Sequence, residues 1–220
     1  LALGVGEGRT GTGPDRTTGA GAHRIAKRIP RNSPGLWNLG AKDVTVLFHD
    51  GRLEKSDIFG NSFSSPAEER LPTGLDNILA AQALLPLTSQ FEMAGNPKEN
   101  EVAGAVHDRL DNVWPILAKR VRTIPAYGAM FVGAFEDVSD PSQVTIVHIG
   151  NAIGAFVGLE WQSFDSPFDA YLNGDKAALS SAQHRGMELF FGTAGCSECH
   201  AGPFLSDEKF HALAIPQFGP

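Results

Sequence analysis

The chain has 220 residues, of which 42% are apolar, enough to bury a hydrophobic core in one large or two small domains. Its 18 basic residues against 25 acidic ones give a net charge of −7, which argues against a nucleic-acid-binding protein. No apolar run is long enough to span a bilayer, so the sequence predicts no membrane span.

The predicted elements are almost all helices. Residues 74–85 are good helix formers, and this helix ends at Pro86, because proline cannot continue the hydrogen-bond ladder. Residues 100–122 form a second helix, interrupted near Pro115. Residues 144–161 form a third, whose apolar side chains recur at helical spacing and predict one apolar stripe. The stripe consists of Ile146, Ile149, Ile153 and Phe156.

Two later helices are indicated by their capping residues. Ser166 followed by Pro167 predicts a helix start, with serine as the cap and proline at the first helical position. Ser180 and Gln183 form a capping box in front of a helix that runs to about Phe191.

Long loops separate these helices. Residues 1–36 and 52–73 are longer than the loops of most compact domains, and such loops are usually functional or held by a ligand. The second loop can be a lid over a pocket, a partner contact or a neutral insertion. No alternating run is long enough for a substantial sheet. The predicted fold class is therefore all-α, with long loops and little or no β-sheet.

Both cysteines of the chain lie in one short motif, Cys196-Ser-Glu-Cys199-His200. A Cys-x-x-Cys pair alone is compatible with a redox dithiol, half of a zinc site or a disulfide, but a histidine directly after it is the attachment signature of c-type haem. Residues three apart share one face of a helical turn, so both sulfurs can reach the vinyl groups of one porphyrin. His200 follows one turn after Cys196, where its imidazole can ligate the iron.

The competing interpretations have less support. A structural zinc site needs four ligands, and no second cysteine pair exists, although His211 is near enough to be a third ligand. A thioredoxin-like motif needs a strand before it, whereas the preceding segment is predicted to be helical. The motif therefore favours one covalently bound haem c in this segment, which implies attachment outside the cytoplasm and a periplasmic protein.

Several short segments occur in a fixed order around this motif. They are Arg31-Asn32-Ser33-Pro34, Phe48-His49-Asp50-Gly51-Arg52, Gln82 with Pro86 and Glu92-Met93-Ala94-Gly95, Ser166-Pro167-Phe168-Asp169-Ala170-Tyr171, Arg185-Gly186 with Leu189-Phe190-Phe191, and Phe210-His211 with Pro216-Gln217. Over nearly the whole chain, this arrangement resembles the bacterial di-haem cytochrome c peroxidase family, which includes the MauG-like enzymes.

The resemblance implies two cytochrome-c-like haem domains with calcium near their interface. Residues 1–163 would be the later part of the first, peroxidatic domain, and residues 164–220 the beginning of the second. The first haem motif would precede Leu1, and the distal ligand of the second haem, Met or Tyr, would follow Pro220. The chain is thus expected to be an internal part of a longer protein with two haems, the alternative being a processed protein with a single haem.

The resemblance also assigns catalytic residues. Glu92 and Gln82 match the acid/base and the polar residue on the distal side of the peroxide-reacting haem, and Pro86 shapes the pocket without offering an N–H group. A positioned carboxylate suits this role, because cleavage of the O–O bond needs a proton moved between the two peroxide oxygens. The alternative for Glu92 is an exposed loop carboxylate.

Three further residues have implied roles. Asn32 matches a calcium ligand through its side-chain oxygen, a hard donor suited to that ion, or else is a turn residue. His49 stands where many relatives have a tryptophan between the haems; histidine is harder to oxidise, so it either leaves electron transfer to direct tunnelling or contacts a haem carboxylate. His23 lies in the loop where some relatives supply a removable distal haem ligand.

These assignments lead to three functional hypotheses. The first is a di-haem c-type peroxidase that reduces hydrogen peroxide with electrons from a small donor protein, a cytochrome c or a cupredoxin, and that can act as a homodimer. The second is a MauG-like di-haem oxidase that modifies a partner protein. The third is a c-type cytochrome that acts only in electron transfer.

Overall fold

The computed structural model describes residues 32–95, 100–214 and 216. The chain falls into two compact units, the first ending at Gln162 and the second beginning at Ser163. Helices dominate both units, as the sequence predicts. In the described ranges, no helix is both long and apolar enough to cross a membrane.

The helices divide between the two units. Those of the first unit are α1 (Ile78–Leu84), α2 (Glu101–Asp108), α3 (Val113–Arg122), α4 (Pro125–Ala134) and α5 (Ile146–Glu160), and those of the second are α6 (Pro167–Leu172) and α7 (Ser181–Phe191). Both predicted helix starts are confirmed, with Ser166 and Ser180 as the caps. The Ser166 hydroxyl accepts from the Asp169 N–H at 3.1 Å, and the Ser180 hydroxyl accepts from the Gln183 N–H at 3.4 Å.

A small antiparallel sheet lies near the start of the first unit. Its strands are β1 (Val46–Leu47), β2 (Leu53–Lys55) and β3 (Phe63–Ser64), in the order β1-β2-β3. Leu47 pairs with Leu53, and Lys55 pairs with Phe63. Strands of two or three residues are too short to show the alternation from which a sheet is predicted.

The expectation that residues 52–73 form one long loop is wrong. The segment contains β2, β3 and a 3₁₀ turn at Glu68–Arg70. Asn61 is buried at its centre: its amide nitrogen donates to the carbonyl oxygens of Glu68 (2.8 Å) and Leu71 (3.2 Å), and its Oδ1 accepts from the Phe63 N–H (3.1 Å). The Asn61 side chain thus supplies hydrogen bonds to backbone groups that a longer sheet would pair with one another.

Two predicted helix boundaries need correction. The first helix begins at Ile78 rather than at residue 74, because Gly74 has a φ of +88°, and Asn77 caps the helix by accepting from the Ala80 N–H at 2.9 Å. The interruption of the second predicted helix lies at residues 109–112 rather than near Pro115. Pro115 instead occupies the first turn of α3, where its missing N–H would have no partner in any case.

The core of the first unit is built where α1 packs against α5. The contact face of α5 is formed by small residues: a Cβ on Gly154 would lie 2.8 Å from the Ala80 backbone nitrogen. Beside it, the buried Asn151 donates to the Gly74 carbonyl and accepts from the Asp76 N–H, both at 3.0 Å. Of the predicted apolar stripe, Ile146 is buried, but Ile153 is 42% and Phe156 56% exposed, so the stripe is covered only at its start.

Candidate functional site

The Cys-x-x-Cys-His motif follows directly on α7 in the second unit. Gly195, with a φ of +68°, ends the connection and leads into a 3₁₀ turn at Cys196–Glu198. The His200 N–H then donates to the Cys196 carbonyl at 3.0 Å, so the predicted helical turn is present. Both cysteines are half-buried free thiols, available for thioether bonds.

His200 is exposed, and its ring is oriented by one hydrogen bond. Its Nδ1 lies 2.9 Å from the carbonyl oxygen of Leu205. Because a carbonyl only accepts, Nδ1 carries the proton, and Nε2 keeps a lone pair for a metal ion. This is the arrangement that a histidine ligand of iron requires.

The second unit leaves an unusual share of apolar side chains exposed. Among its described residues, Leu179 is the sole buried apolar side chain. Its exposed large apolar residues are Phe164, Leu172, Leu189, Phe191, Leu205, Phe210 and Leu213. Aromatic rings lie beside the motif. The centre of the Phe190 ring lies 5.0 Å from that of Phe191 and 6.1 Å from that of the His200 imidazole. Two free thiols, an available imidazole nitrogen and uncovered apolar surface fit a covalently bound haem, whose porphyrin is itself largely apolar.

Gln82 lies at a separate site, in the first unit. It projects from α1 into a small pocket and is the one polar residue among those that line it. The apolar walls include Leu36, Leu39, Phe48, Leu79, Ile153 and Val157. Ile153, one of the exposed residues of the predicted stripe, is thus a wall of this pocket. At about 40 Å³ the pocket is far smaller than a typical ligand site of roughly 300–1,000 Å³, and Gln82 supplies its one polar side chain.

Pro86 and Glu92 follow Gln82 along two unusual turns. Pro86 begins a 3₁₀ turn at Pro86–Thr88, and the half-buried Glu92 lies in a π-helical turn at Gln90–Ala94. The Ser89 carbonyl accepts from the N–H groups of Glu92 (3.2 Å), Met93 (3.2 Å) and Ala94 (3.0 Å). Glu92 is therefore held in an ordered turn, and π turns occur frequently at functional sites.

A cation near Glu92 was not identified from the sequence. The Arg52 guanidinium donates to Asp50 at 2.8 Å and lies 5.3 Å from the centre of the Phe48 ring. The hydrogen bond to Asp50 raises the pKa of Arg52 above its ordinary value, and the charge of Glu92 adds to this effect. The segment 48–52 thus supplies both a pocket wall, Phe48, and the positive charge of Arg52, which acts on the Glu92 carboxylate.

The remaining predicted site residues are placed differently. His49 is exposed in the turn after β1, and Asn32 is exposed at the start of the described chain. His23 lies outside the described residues. Within residues 32–95, 100–214 and 216, no three His, Cys, Asp or Glu side chains form a group that could hold a metal ion. His211 Nε2 lies 2.9 Å from Asp207 Oδ2.

Comparison with known proteins gives a consistent result. A family model described as di-haem cytochrome c peroxidase matches residues 7–177. Cytochrome-c peroxidase IdrP1 of Pseudomonas sp. (strain SCT) is 38% identical over 134 residues, which cover 60% of this chain and 32% of that protein. Cytochrome c551 peroxidase of Pseudomonas aeruginosa is 28% identical over 186 residues, or 84% of this chain and 40% of that protein.

A relative with a different name also matches. Methylamine utilization protein MauG of Methylorubrum extorquens is 27% identical over 142 residues, which cover 64% of this chain and 34% of that protein. The chain therefore spans between about a third and two fifths of the length of these relatives.

Proposed function

The chain belongs to the di-haem cytochrome c peroxidase family, and from this premise we propose that the protein reduces hydrogen peroxide with electrons from a small redox protein, a cytochrome c or a cupredoxin. Two electrons from the donor and two protons convert one peroxide molecule into two water molecules. Support comes from the relatives named as peroxidases and from the pocket that Gln82 and Phe48 share.

The two units have different roles in this proposal. Cys196 and Cys199 would bind a haem through thioethers, and His200 would ligate its iron through Nε2. Bound there, haem supplies one-electron redox chemistry. The first unit would provide the peroxide-reacting pocket of a second haem, so that the units correspond to the two haem domains predicted at residues 1–163 and 164–220.

Glu92 and Gln82 would do the proton and hydrogen-bond chemistry. The Glu92 carboxylate takes the proton from one peroxide oxygen and returns it to the other, which makes the departing oxygen a better leaving group. The Gln82 amide N–H would donate to a peroxide oxygen and orient the substrate against the apolar wall. The placement of Gln82 as the one polar lining residue supports its part of this assignment, whereas Pro86 and Glu92 are not among the residues that line the pocket. The role of Glu92 rests on the family resemblance and on its ordered π-helical turn.

The remaining parts of the proposal concern the environment of the protein. Covalent haem attachment would place the protein in the periplasm. Asn32 would supply a side-chain oxygen to calcium, and His49 would contact a haem carboxylate, the role its exposed position allows. His23 would serve as a distal ligand, and two copies would form a homodimer.

A Glu92→Gln substitution tests the peroxidase assignment. Loss of a general acid/base typically costs about 10²-fold or more in turnover. We expect a loss of that size in peroxide consumption, measured with reduced donor and with the haem content matched to the wild type. Glu69→Gln, at an exposed position of the same unit, is the control and should retain wild-type turnover. Full turnover in Glu92→Gln would contradict the proposal.

A MauG-like oxidase is the second candidate, favoured by the match to a MauG protein. It would use the same Gln82 and Glu92 but oxidise side chains of a partner protein. Peroxide consumption that requires no external electron donor and leaves an oxidised partner would identify this activity.

A further inference from the structure

Leu205 stands at a backbone position that its side chain does not favour. Its φ is +50°, in the left-handed region where residues other than glycine, asparagine and aspartate are uncommon. The side chain is 40% exposed, so burial offers little reason for leucine to hold this conformation. Strained backbone of this kind persists only where the surrounding structure enforces it.

The peptide group after Leu205 is fixed on both sides. Its carbonyl oxygen accepts from Nδ1 of His200 at 2.9 Å, while its N–H, which belongs to Ser206, donates to the Ala201 carbonyl at 2.8 Å. Because C=O and N–H of a trans peptide point in opposite directions, this one peptide bridges the His200 ring and the Ala201 backbone.

Two further bonds close the loop around this peptide. The Leu205 N–H donates to the Gly202 carbonyl at 3.1 Å, and the Asp207 N–H donates to the Cys199 carbonyl at 3.1 Å. Gly202 also has a positive φ, +70°, as the turn requires. The segment from Cys199 to Asp207 is thus a loop closed by backbone hydrogen bonds, and its Leu205 carbonyl accepts from the His200 ring.

We propose that Leu205 is a positioning residue: its left-handed backbone aims the carbonyl that holds His200 in the tautomer and orientation needed to ligate haem iron. The inference rests on the proposed haem attachment. A ring whose Nδ1–H is bonded to a carbonyl is a more electron-rich ligand through Nε2. Such a ligand stabilises the oxidised iron and lowers the reduction potential of this haem.

Two substitutions separate the backbone from the side chain. Proline fixes φ near −65°, so Leu205→Pro cannot keep the left-handed conformation and also loses the N–H that donates to Gly202. Asparagine tolerates the left-handed region, so Leu205→Asn removes the apolar side chain and keeps the backbone. The two variants therefore differ in whether residue 205 can keep its left-handed backbone conformation.

The test uses the full-length, haem-loaded protein. Pyridine haemochrome first counts the haems of each variant, and spectroelectrochemical titration then gives the potential of the haem bound at Cys196 and Cys199. We expect Leu205→Asn to keep the wild-type potential and Leu205→Pro to shift it upward. A wild-type potential in Leu205→Pro, or equal shifts in both variants, would overturn the inference.

A second measurement needs no variant. In the wild-type protein, NMR should show the His200 Nδ1 proton exchanging with solvent much more slowly than that of a free imidazole, because this proton is donated to the Leu205 carbonyl. Exchange as fast as in free imidazole would overturn the positioning role. Absence of haem from this motif in the wild type would instead overturn the haem assignment, so the two failures are distinguishable.

Discussion

The two units differ in where their apolar side chains lie. The first fully buries large side chains contributed by strands, helices and connections: Leu53, Leu71, Leu84, Val113, Val138 and Val144. In the described part of the second, only Leu179 is buried among the apolar residues, while the phenylalanines near the haem motif are half-buried or exposed. The first unit thus has a core of its own, and the described part of the second presents apolar surface for a haem and for the rest of the domain that is predicted to begin at residue 164.

This difference has a thermodynamic consequence. A unit with little buried apolar surface gains too little hydrophobic free energy to offset the conformational entropy of folding. A cofactor that binds only the folded chain adds its binding free energy to stability. We therefore expect haem to be a structural requirement of the second unit, whereas the first unit depends mainly on the packing of α1 against α5.

The largest effect is expected from removing the haem attachment. Cys196→Ser combined with Cys199→Ser should abolish covalent haem at this motif and expose the amides of α7 to hydrogen exchange, because the apolar surface loses its cover. The amides of α1 and α5 should keep their wild-type protection. Hydrogen exchange read by mass spectrometry distinguishes the two units in one experiment.

The control for this experiment lies within the same motif. Ser197→Ala changes a neighbouring side chain and leaves both thiols, so haem and exchange protection should stay at the wild-type level. Wild-type protection of α7 in the double serine variant would show that the second unit folds without haem, and the contrast between the units would be wrong.

A smaller effect is expected from crowding the core of the first unit. In Gly154→Ala the added Cβ would meet the Ala80 backbone at 2.8 Å, and overpacking of this kind costs about 1–3 kcal/mol. Chemical denaturation of the first unit should show this loss, while the haem content of the second stays unchanged. Gly133→Ala in α4, where nothing lies within 4 Å of the new Cβ, should be neutral or stabilising by up to about 1 kcal/mol. Equal stabilities of the two variants would contradict the packing of α1 on α5.

The smallest effect concerns the surface pair Asp50 and Arg52. The hydrogen bond from Arg52 lowers the pKa of Asp50 below its ordinary value of 3.8. A lowered carboxyl pKa contributes stability above the ordinary value, and that contribution is lost as the pH falls through the lowered folded-state pKa. Both side chains are nearly half exposed, so the contribution should stay below about 1 kcal/mol.

Asp50→Asn measures this contribution. Its stability deficit at pH 7 should be small and should vanish as the pH falls below 3.8, in denaturation curves of the first unit. Asp43→Asn, at another exposed position, serves as the control for the loss of a charge. A deficit that persists at low pH would mean that the side chain acts through packing rather than through its charge.

Local sequence signals predicted the starts of α6 and α7 but not the contacts of α5. Ser166 and Ser180 were identified as caps because capping chemistry is complete within four residues. The stripe on α5 is covered only in part, because periodicity identifies an apolar face but does not say whether a partner covers it. The small-residue face that meets α1 depends on Gly154 and on the distant Ala80, which no local pattern connects.

In the candidate site, too, locally encoded features could be predicted and features that depend on the fold could not. Cys196, Cys199 and His200 could be predicted because attachment chemistry fixes their spacing. The Leu205 carbonyl could not, because any residue carries a carbonyl and only the folded loop decides where it points. The Gly202-Pro203 pair before it was the one available signal, as such pairs indicate turns. The nearness of Arg52 to Glu92 likewise depends on the tertiary fold.

Mass spectrometry of one peptide tests the central claim most directly. Trypsin cleaves after Arg185 and Lys209, so residues 186–209 form a single peptide that contains both cysteines. The account predicts that this peptide carries the mass of one haem and absorbs visible light, with neither thiol open to alkylation. A peptide of unmodified mass, with two alkylated thiols or with a disulfide, would contradict it.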